Sequence, residues 1–219
     1  MNAVAPIAQT VPDALRGDLY ALLASVLAQA PSAERLVQLS GLTAVARIPA
    51  PLAAPLNGLK AAAAGADHGA VSREYSDLFI GLGRGELVPY ACWYTEKRLM
   101  GARLARLRAD LAGLKIQRQP GVREPEDHVA ALCEIMVLLI GRARSCRRRQ
   151  THFFQTHLAP WMSCFFEELQ QAPSARFYRP VGDLGVRFMH LENQSLRVPA
   201  AQGKRPPARG LTQTDVQGV

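Results

Sequence analysis

Apolar residues return every three or four positions along much of the chain, and proline, glycine and capping residues cut the pattern into helix-sized pieces. Leu15, Leu19, Leu22, Leu23, Val26 and Leu27 form the first piece, opened by Pro12 and closed by Pro31. Ser32 is placed to cap a short second helix that stops near Gly41. The Pro49 to Pro55 stretch reads as a linker before an alanine-rich helix ending at Gly65. Asp67 can cap the next helix, in which Val71, Tyr75, Leu78 and Phe79 share one apolar face, and Gly81, Gly83 and Gly85 end it. Pro89 and Tyr90 lead into a long helix expected from about Trp93 to Leu111. In it Leu99, Leu104, Leu107 and Leu111 face inward, while Lys97, Arg98, Arg103, Arg106 and Arg108 face mostly outward.

Beyond a loop at 113–123, the stretch Glu124-Pro125-Glu126-Asp127-His128 joins a helix start signal to a cluster of titratable side chains. Pro125 suits a first helical position, and acidic residues complement the positive end of a helix dipole. A helix is therefore expected from about Pro125, with Val129, Leu132, Cys133, Met136, Leu139 and Ile140 as its core face and His128 at the head of that stripe. Glu124, Asp127 and His128 then share one face of the first turn. The pattern fades at Gly141 into an arginine run. A short amphipathic piece follows at His152, Phe153, Phe154, His157 and Leu158, and Pro160 and Trp161 restart a helix through Phe165, Phe166 and Leu169. A last helix runs through Phe177, Leu184, Phe188 and Leu191, with a bend expected at Pro180. No stretch alternates with period two, so the fold class is all-α, a single-domain helical bundle. Residues 12–195 form that domain, between a disordered N-terminus at 1–11 and a disordered basic tail at 196–219.

Composition narrows the function classes. At 219 residues, 48% apolar and 20% charged, the chain reads as a globular protein with a sizeable core. No apolar run approaches the roughly 20 residues of a membrane span. The first ten residues carry no basic residue ahead of an apolar segment, so a cytoplasmic location without stable membrane insertion is expected. The four cysteines, Cys92, Cys133, Cys146 and Cys164, include no Cys-x-x-Cys pair, and Cys133 and Cys164 read as small core filler. No metal and no cofactor is expected.

The net charge of +8 resides in two places: the arginines from Arg142 to Arg149, and the tail from Arg197. Elsewhere the chain is formally neutral, and no aromatic residues interleave with the arginines, which argues against a nucleic-acid partner. Gly81, Gly83 and Gly85 lack the strand and the Lys-Ser/Thr of a phosphate loop and read as a turn.

Three readings of the central cluster stand side by side. Glu124 and Asp127 can serve a helix N-terminus beside a satisfied core histidine. Either carboxylate can orient His128 as a general base, the arrangement of a hydrolase, although no serine or cysteine nucleophile accompanies it. Or the carboxylates meet a cation while the apolar seam beside them takes a hydrophobic segment, which suits a basic-then-apolar peptide.

Glu124-Pro125-x-Asp127-His128 resembles the signature of the TorD/DmsD family of redox-enzyme maturation chaperones. So do Glu74-Tyr75 with Leu78-Phe79 and Gly81, then Val88-Pro89-Tyr90 with Tyr94, and Phe154-x-x-His157-Leu158-x-Pro160-Trp161. The four blocks stand in the family's order and span about residues 13 to 195. The resemblance implies an all-helical, non-enzymatic cytoplasmic protein. Its partner would be the twin-arginine signal peptide, and the catalytic subunit behind it, of a molybdopterin oxidoreductase held for cofactor insertion before export. Carried over residue by residue, it places peptide binding on Tyr75, Leu78, Phe79, Pro89, Tyr90, Asp127 and His128, and the charge of Glu124 suits the same ligand. A monomer and a homodimer are both left open. The alternative function is a scaffold or regulator that binds a folded partner through the same surface.

Overall fold

The computed structural model describes residues 11–42, 48–81, 85–142 and 147–196, and everything said of the structure concerns these. The expected disordered ends lie outside them except for Val11 and Leu196, which the expected domain limits leave out and which are buried in the core. Gly83, Arg144 and Cys146 also lie outside the described residues.

Ten α-helices follow one another among the described residues: α1 Asp13–Leu27, α2 Ala33–Ser40, α3 Ala50–Ala64, α4 His68–Tyr75, α5 Ala91–Glu96, α6 Ala102–Gly113, α7 Val129–Gly141, α8 Arg147–Phe153, α9 Met162–Gln171 and α10 Tyr178–Ser195. Two π-helical turns continue α4 and α8, at Ser76–Ile80 and Phe154–Leu158. No strand is present among the described residues; one isolated antiparallel bridge joins Tyr90 and His128. The all-α expectation therefore holds.

Helix starts follow the capping chemistry read from the sequence. The Ser32 hydroxyl accepts from Arg35 N–H at 3.2 Å and the Asp67 carboxylate from Ala70 N–H at 2.8 Å. The principal packing pairs are α1 with α7, α10 with α9, α10 with α3, and α2 with α3. Between them Trp161, Phe153, Phe154, Phe165, Phe166 and Phe188 are fully buried, each contributing roughly 1.5–3 kcal/mol on removal from water. α10 and α9 touch at backbone level. A Cβ on Gly182 would lie 2.6 Å from Gln170 N, and one on Gly185 would lie 2.2 Å from the Phe166 ring.

Four expected boundaries change. The Pro49 to Pro55 linker is the first half of α3. Pro51 falls in the first turn, where no N–H is required, and Pro55 forgoes a single intrahelical bond for a buried position. Pro180 is likewise in the first turn of α10, so it introduces no break there. The long helix from Trp93 to Leu111 is two helices, α5 and α6, because Lys97 and Met100 turn left-handed between them. Glu96 folds back to accept from Arg103 N–H at 2.8 Å, capping α6, and a Cβ on Gly101 would overlap its carboxylate. Leu99, expected inward, is 56% exposed in that turn, whereas Leu104, Leu107 and Leu111 are buried as expected. Cys164, expected as core filler, is exposed on α9.

Candidate functional site

The fourth change lies in the central cluster. α7 begins at Val129 rather than at Pro125, and His128 is its N-cap in an extended conformation. A tertiary bridge decides this over the local helix signal. Val129 N–H donates to Pro89 O at 2.9 Å and Ala91 N–H to Asp127 O at 3.0 Å, so 125–128 is held as a turn against the start of α5. Asp127 and His128 are 3% and 6% exposed. The Asp127 carboxylate accepts from Cys92 N–H at 3.0 Å and thus caps α5 instead of its own helix. His128 Nδ1 accepts from Ala130 N–H at 3.2 Å, which puts the proton of the neutral ring on Nε2. Burial pushes the imidazole pKa down against the opposing charges of Glu124 and Asp127, so the neutral form that this cap needs is favoured.

Beside this turn lies a strip of aromatic side chains. Tyr90, half-buried, packs edge-on to the His128 ring at 5.1 Å and donates its hydroxyl to exposed Glu124. Burial and then the Glu124 charge push the Tyr75 phenol up to about 12, so Tyr75 stands within that carboxylate's field. Tyr75 and Phe79, also half-buried, pack at 5.0 Å, and Phe79 continues onto Phe165 at 6.4 Å. Phe165 meets Tyr94 at 6.2 Å, and Tyr94 lies 5.3 Å from Trp161. Ile80, 61% exposed, follows Phe79 on the π turn. The π turn adds one residue to the helical circuit at the point where these side chains must reach the surface, a placement common for such turns at functional sites.

Of the residues singled out in the sequence, Tyr75, Phe79, Tyr90 and Glu124 present surface here. Leu78 and Pro89 are buried: Leu78 fills the core beneath the strip, and Pro89 contributes the carbonyl that starts α7. Asp127 and His128 support the strip from below. Glu74 had served only as part of a motif, but it has a definite task. It is 8% exposed, and its carboxylate accepts from Arg176 and Tyr178 N–H at 2.8 Å and from Phe177 N–H at 3.1 Å, which ties α4 to the start of α10. Its position between Val71 and Leu78 on the apolar stripe was the available signal.

A second buried polar set went unread. The Arg16 guanidinium is bidentate to Glu192 at 2.6 and 2.9 Å, Tyr20 donates to Glu192 at 2.8 Å, and Gln150 accepts from Arg16 at 2.7 Å. Part of the arginine run is likewise engaged internally, Arg142 with Leu114 O at 2.8 Å and Arg147 with Asp13 at 2.9 Å. Among the described residues no group of three or more His, Cys, Asp or Glu is placed to hold a metal ion, and none of the helices there is long and apolar enough to cross a membrane.

Because the Asp127 carboxylate is buried at a cap, Asp127→Asn, which keeps an acceptor oxygen, is expected to cost at most about 1 kcal/mol of stability. Its effect on ligand affinity per folded molecule is expected to be smaller than that of Glu124→Gln, since Glu124 is the exposed charge. Urea midpoints and ligand titrations on both variants check this; a larger affinity loss for Asp127→Asn would return the ionic role to the buried carboxylate.

Fold and site together define an all-helical protein with an aromatic strip ending at an exposed carboxylate. The model of the nitrate reductase delta subunit family matches residues 46–167, more than half of the chain, and the chain belongs to that family. It is 26% identical over 136 residues to the chaperone protein TorD of Vibrio cholerae serotype O1, a match covering 58% of this chain and 62% of the relative. The chaperone protein TorD of a Psychrobacter species matches with the same identity and coverage. The chain thus spans under two thirds of these relatives' length. The crystal structure of a protein from Archaeoglobus fulgidus described as a redox enzyme maturation protein superposes with a TM-score of 0.52 at 18% identity, over 80% of this chain and 94% of that one, and shares the fold. The resemblance to the TorD/DmsD family stated from the motifs is borne out.

Proposed function

We propose that this chain is a cytoplasmic chaperone that binds the twin-arginine signal peptide of a molybdopterin-containing oxidoreductase subunit and holds that client for cofactor insertion before export. The observation that carries the reading is the aromatic strip Tyr75–Phe79 with exposed Ile80, ending at the Tyr90–Glu124 pair. A signal peptide offers cations followed by an apolar segment, and strip and carboxylate are complementary to that order. The TorD relatives support the chaperone class.

Burying a few peptide leucines at roughly 1.5–3 kcal/mol each, with ionic contacts added and ordering costs subtracted, gives an affinity near micromolar, about −8 kcal/mol. The hydrolase alternative is opposed by geometry. Asp127 is engaged with Cys92 N–H and His128 Nδ1 with Ala130 N–H, so the carboxylate is not orienting the ring as a general base. Calorimetry with synthetic signal peptides of the oxidoreductases encoded in the same genome tests the proposal. Binding near micromolar to at least one peptide, weakened by Arg→Ala changes in it, is expected. Absence of heat with every such peptide would refute it.

A further inference from the structure

Tyr90, the extended N-cap of α5, and Tyr94, within its first turn, flank the start of that helix. Each donates its hydroxyl to a glutamate from a different element: Tyr90 to Glu124 before α7, and Tyr94 to Glu168 of α9 at 2.5 Å. Burial, then the partner glutamate, pushes both phenols upward, so both remain O–H donors at neutral pH. Glu168 is exposed and also takes a weak contact from Cys164 Sγ at 3.6 Å. Among the described residues, no ion pair engages Glu124 or Glu168, whereas Glu126, Glu192 and Asp110 have basic partners. The aromatic strip already described connects the two. From Tyr75, in the field of Glu124, it passes to Phe79 and, across the fully buried Phe165 ring, to half-buried Tyr94, in ring-to-ring steps of 5.0, 6.4 and 6.2 Å. The Tyr75 and Tyr94 rings are therefore no farther apart than about five residues of extended chain.

We propose that Glu168 is a second cation-binding carboxylate of this site, so that the strip takes a peptide with a basic residue at each end of a short apolar segment. Resting on the peptide-binding reading above, the inference names what that reading selects for. Each tyrosine occupies one acceptor position of its carboxylate and fixes its orientation, leaving the remaining lone pairs for a guanidinium or ammonium group. A carboxylate already held in place loses little freedom when the peptide arrives. Lys97, the C-cap of α5, is a resident cation whose field reaches Cys164 in this corner without forming an ion pair with Glu168 among the described residues.

The test uses the full chain and the signal peptide with the strongest calorimetric signal, its basic residues replaced by glutamine one at a time. Glu168→Gln changes an exposed side chain, and circular dichroism should report an unaltered fold. Affinity for the parent peptide is expected to fall about five-fold, the loss shrinking at high salt. It should vanish for one glutamine-substituted peptide, at a position other than the one coupled to Glu124→Gln. Tyr94→Phe should reproduce part of the loss through the freed carboxylate. If the wild-type chain binds no signal peptide, the chaperone reading itself fails. If it binds and Glu124→Gln weakens it while Glu168→Gln does not, this inference is overturned and the chaperone reading stands. A Glu168→Gln loss that is equal for every peptide would also overturn it, because the residue would then be acting only on the shape of the strip.

Discussion

Replacing Glu192 by alanine is expected to lower the free energy of unfolding by about 3–5 kcal/mol, a large share of the roughly 5–15 kcal/mol that keeps a domain folded. Arg16 and Glu192 both have fully buried side chains, and the guanidinium meets both carboxylate oxygens. Without the carboxylate, Arg16 keeps Asp13 and Gln150, but its remaining donors and the Tyr20 hydroxyl face a dry interior. The set joins α1, α8 and α10, so the damage reaches helices far apart in sequence. Joint replacement, Arg16→Met with Glu192→Leu, should recover most of the loss, because the cost lies in the uncompensated charge rather than in the absence of an ion pair. Urea midpoints of the two variants decide it. A loss below about 1 kcal/mol for Glu192→Ala would mean that Asp13 and Gln150 satisfy Arg16 unaided.

That network also shows where a sequence stops being legible. Helical periodicity gave the starts of α1, α2 and α9 within a residue or two, at capping or proline signals, because periodicity and caps are local. Arg16 stands three and four residues before Leu19 and Tyr20 on the core face, an anomaly visible in the pattern. Its partner is 176 positions away, and nothing local could name it. The start of α7 failed for the same reason. Glu124 to Asp127 carry a sound helix signal, yet the bridge from Pro89 and Tyr90, about 40 residues earlier, holds the stretch as a turn that ends in extended His128. The motif residues marked the right region, but their division of labour was decided by tertiary contacts. Tyr75, Phe79, Tyr90 and Glu124 reach the surface, while Leu78, Pro89 and Asp127 hold it in place. Glu168 belonged to no motif, and only the hydroxyl of Tyr94 singles it out.

Glu74 is where stability and site meet, and Glu74→Ala is expected to affect both. Its carboxylate takes three consecutive N–H groups at the start of α10, two of them buried, and the negative charge sits at the positive end of an 18-residue helix. Losing a cap of this kind costs about 2–4 kcal/mol, above the usual range for an exposed cap because the donors are left without water. Glu74→Gln keeps an oxygen acceptor but loses the charge and the second oxygen, so an intermediate loss is expected. The same residue precedes Tyr75 and fixes the end of α4 against Tyr178, whose ring contacts both Tyr75 and Phe79 at 6.0 and 5.4 Å. Peptide affinity measured on the folded fraction should therefore fall in Glu74→Ala, although residue 74 touches no ligand. Tyr75→Ala supplies the contrast: it removes strip surface directly, so affinity should fall while stability changes less than in Glu74→Ala. Thermal unfolding and peptide titration on the two variants separate the roles. If Glu74→Ala unfolds early but its folded fraction binds with unchanged affinity, the cap holds α10 alone, and the strip is positioned by the packing of Tyr75 and Phe79 on Tyr178.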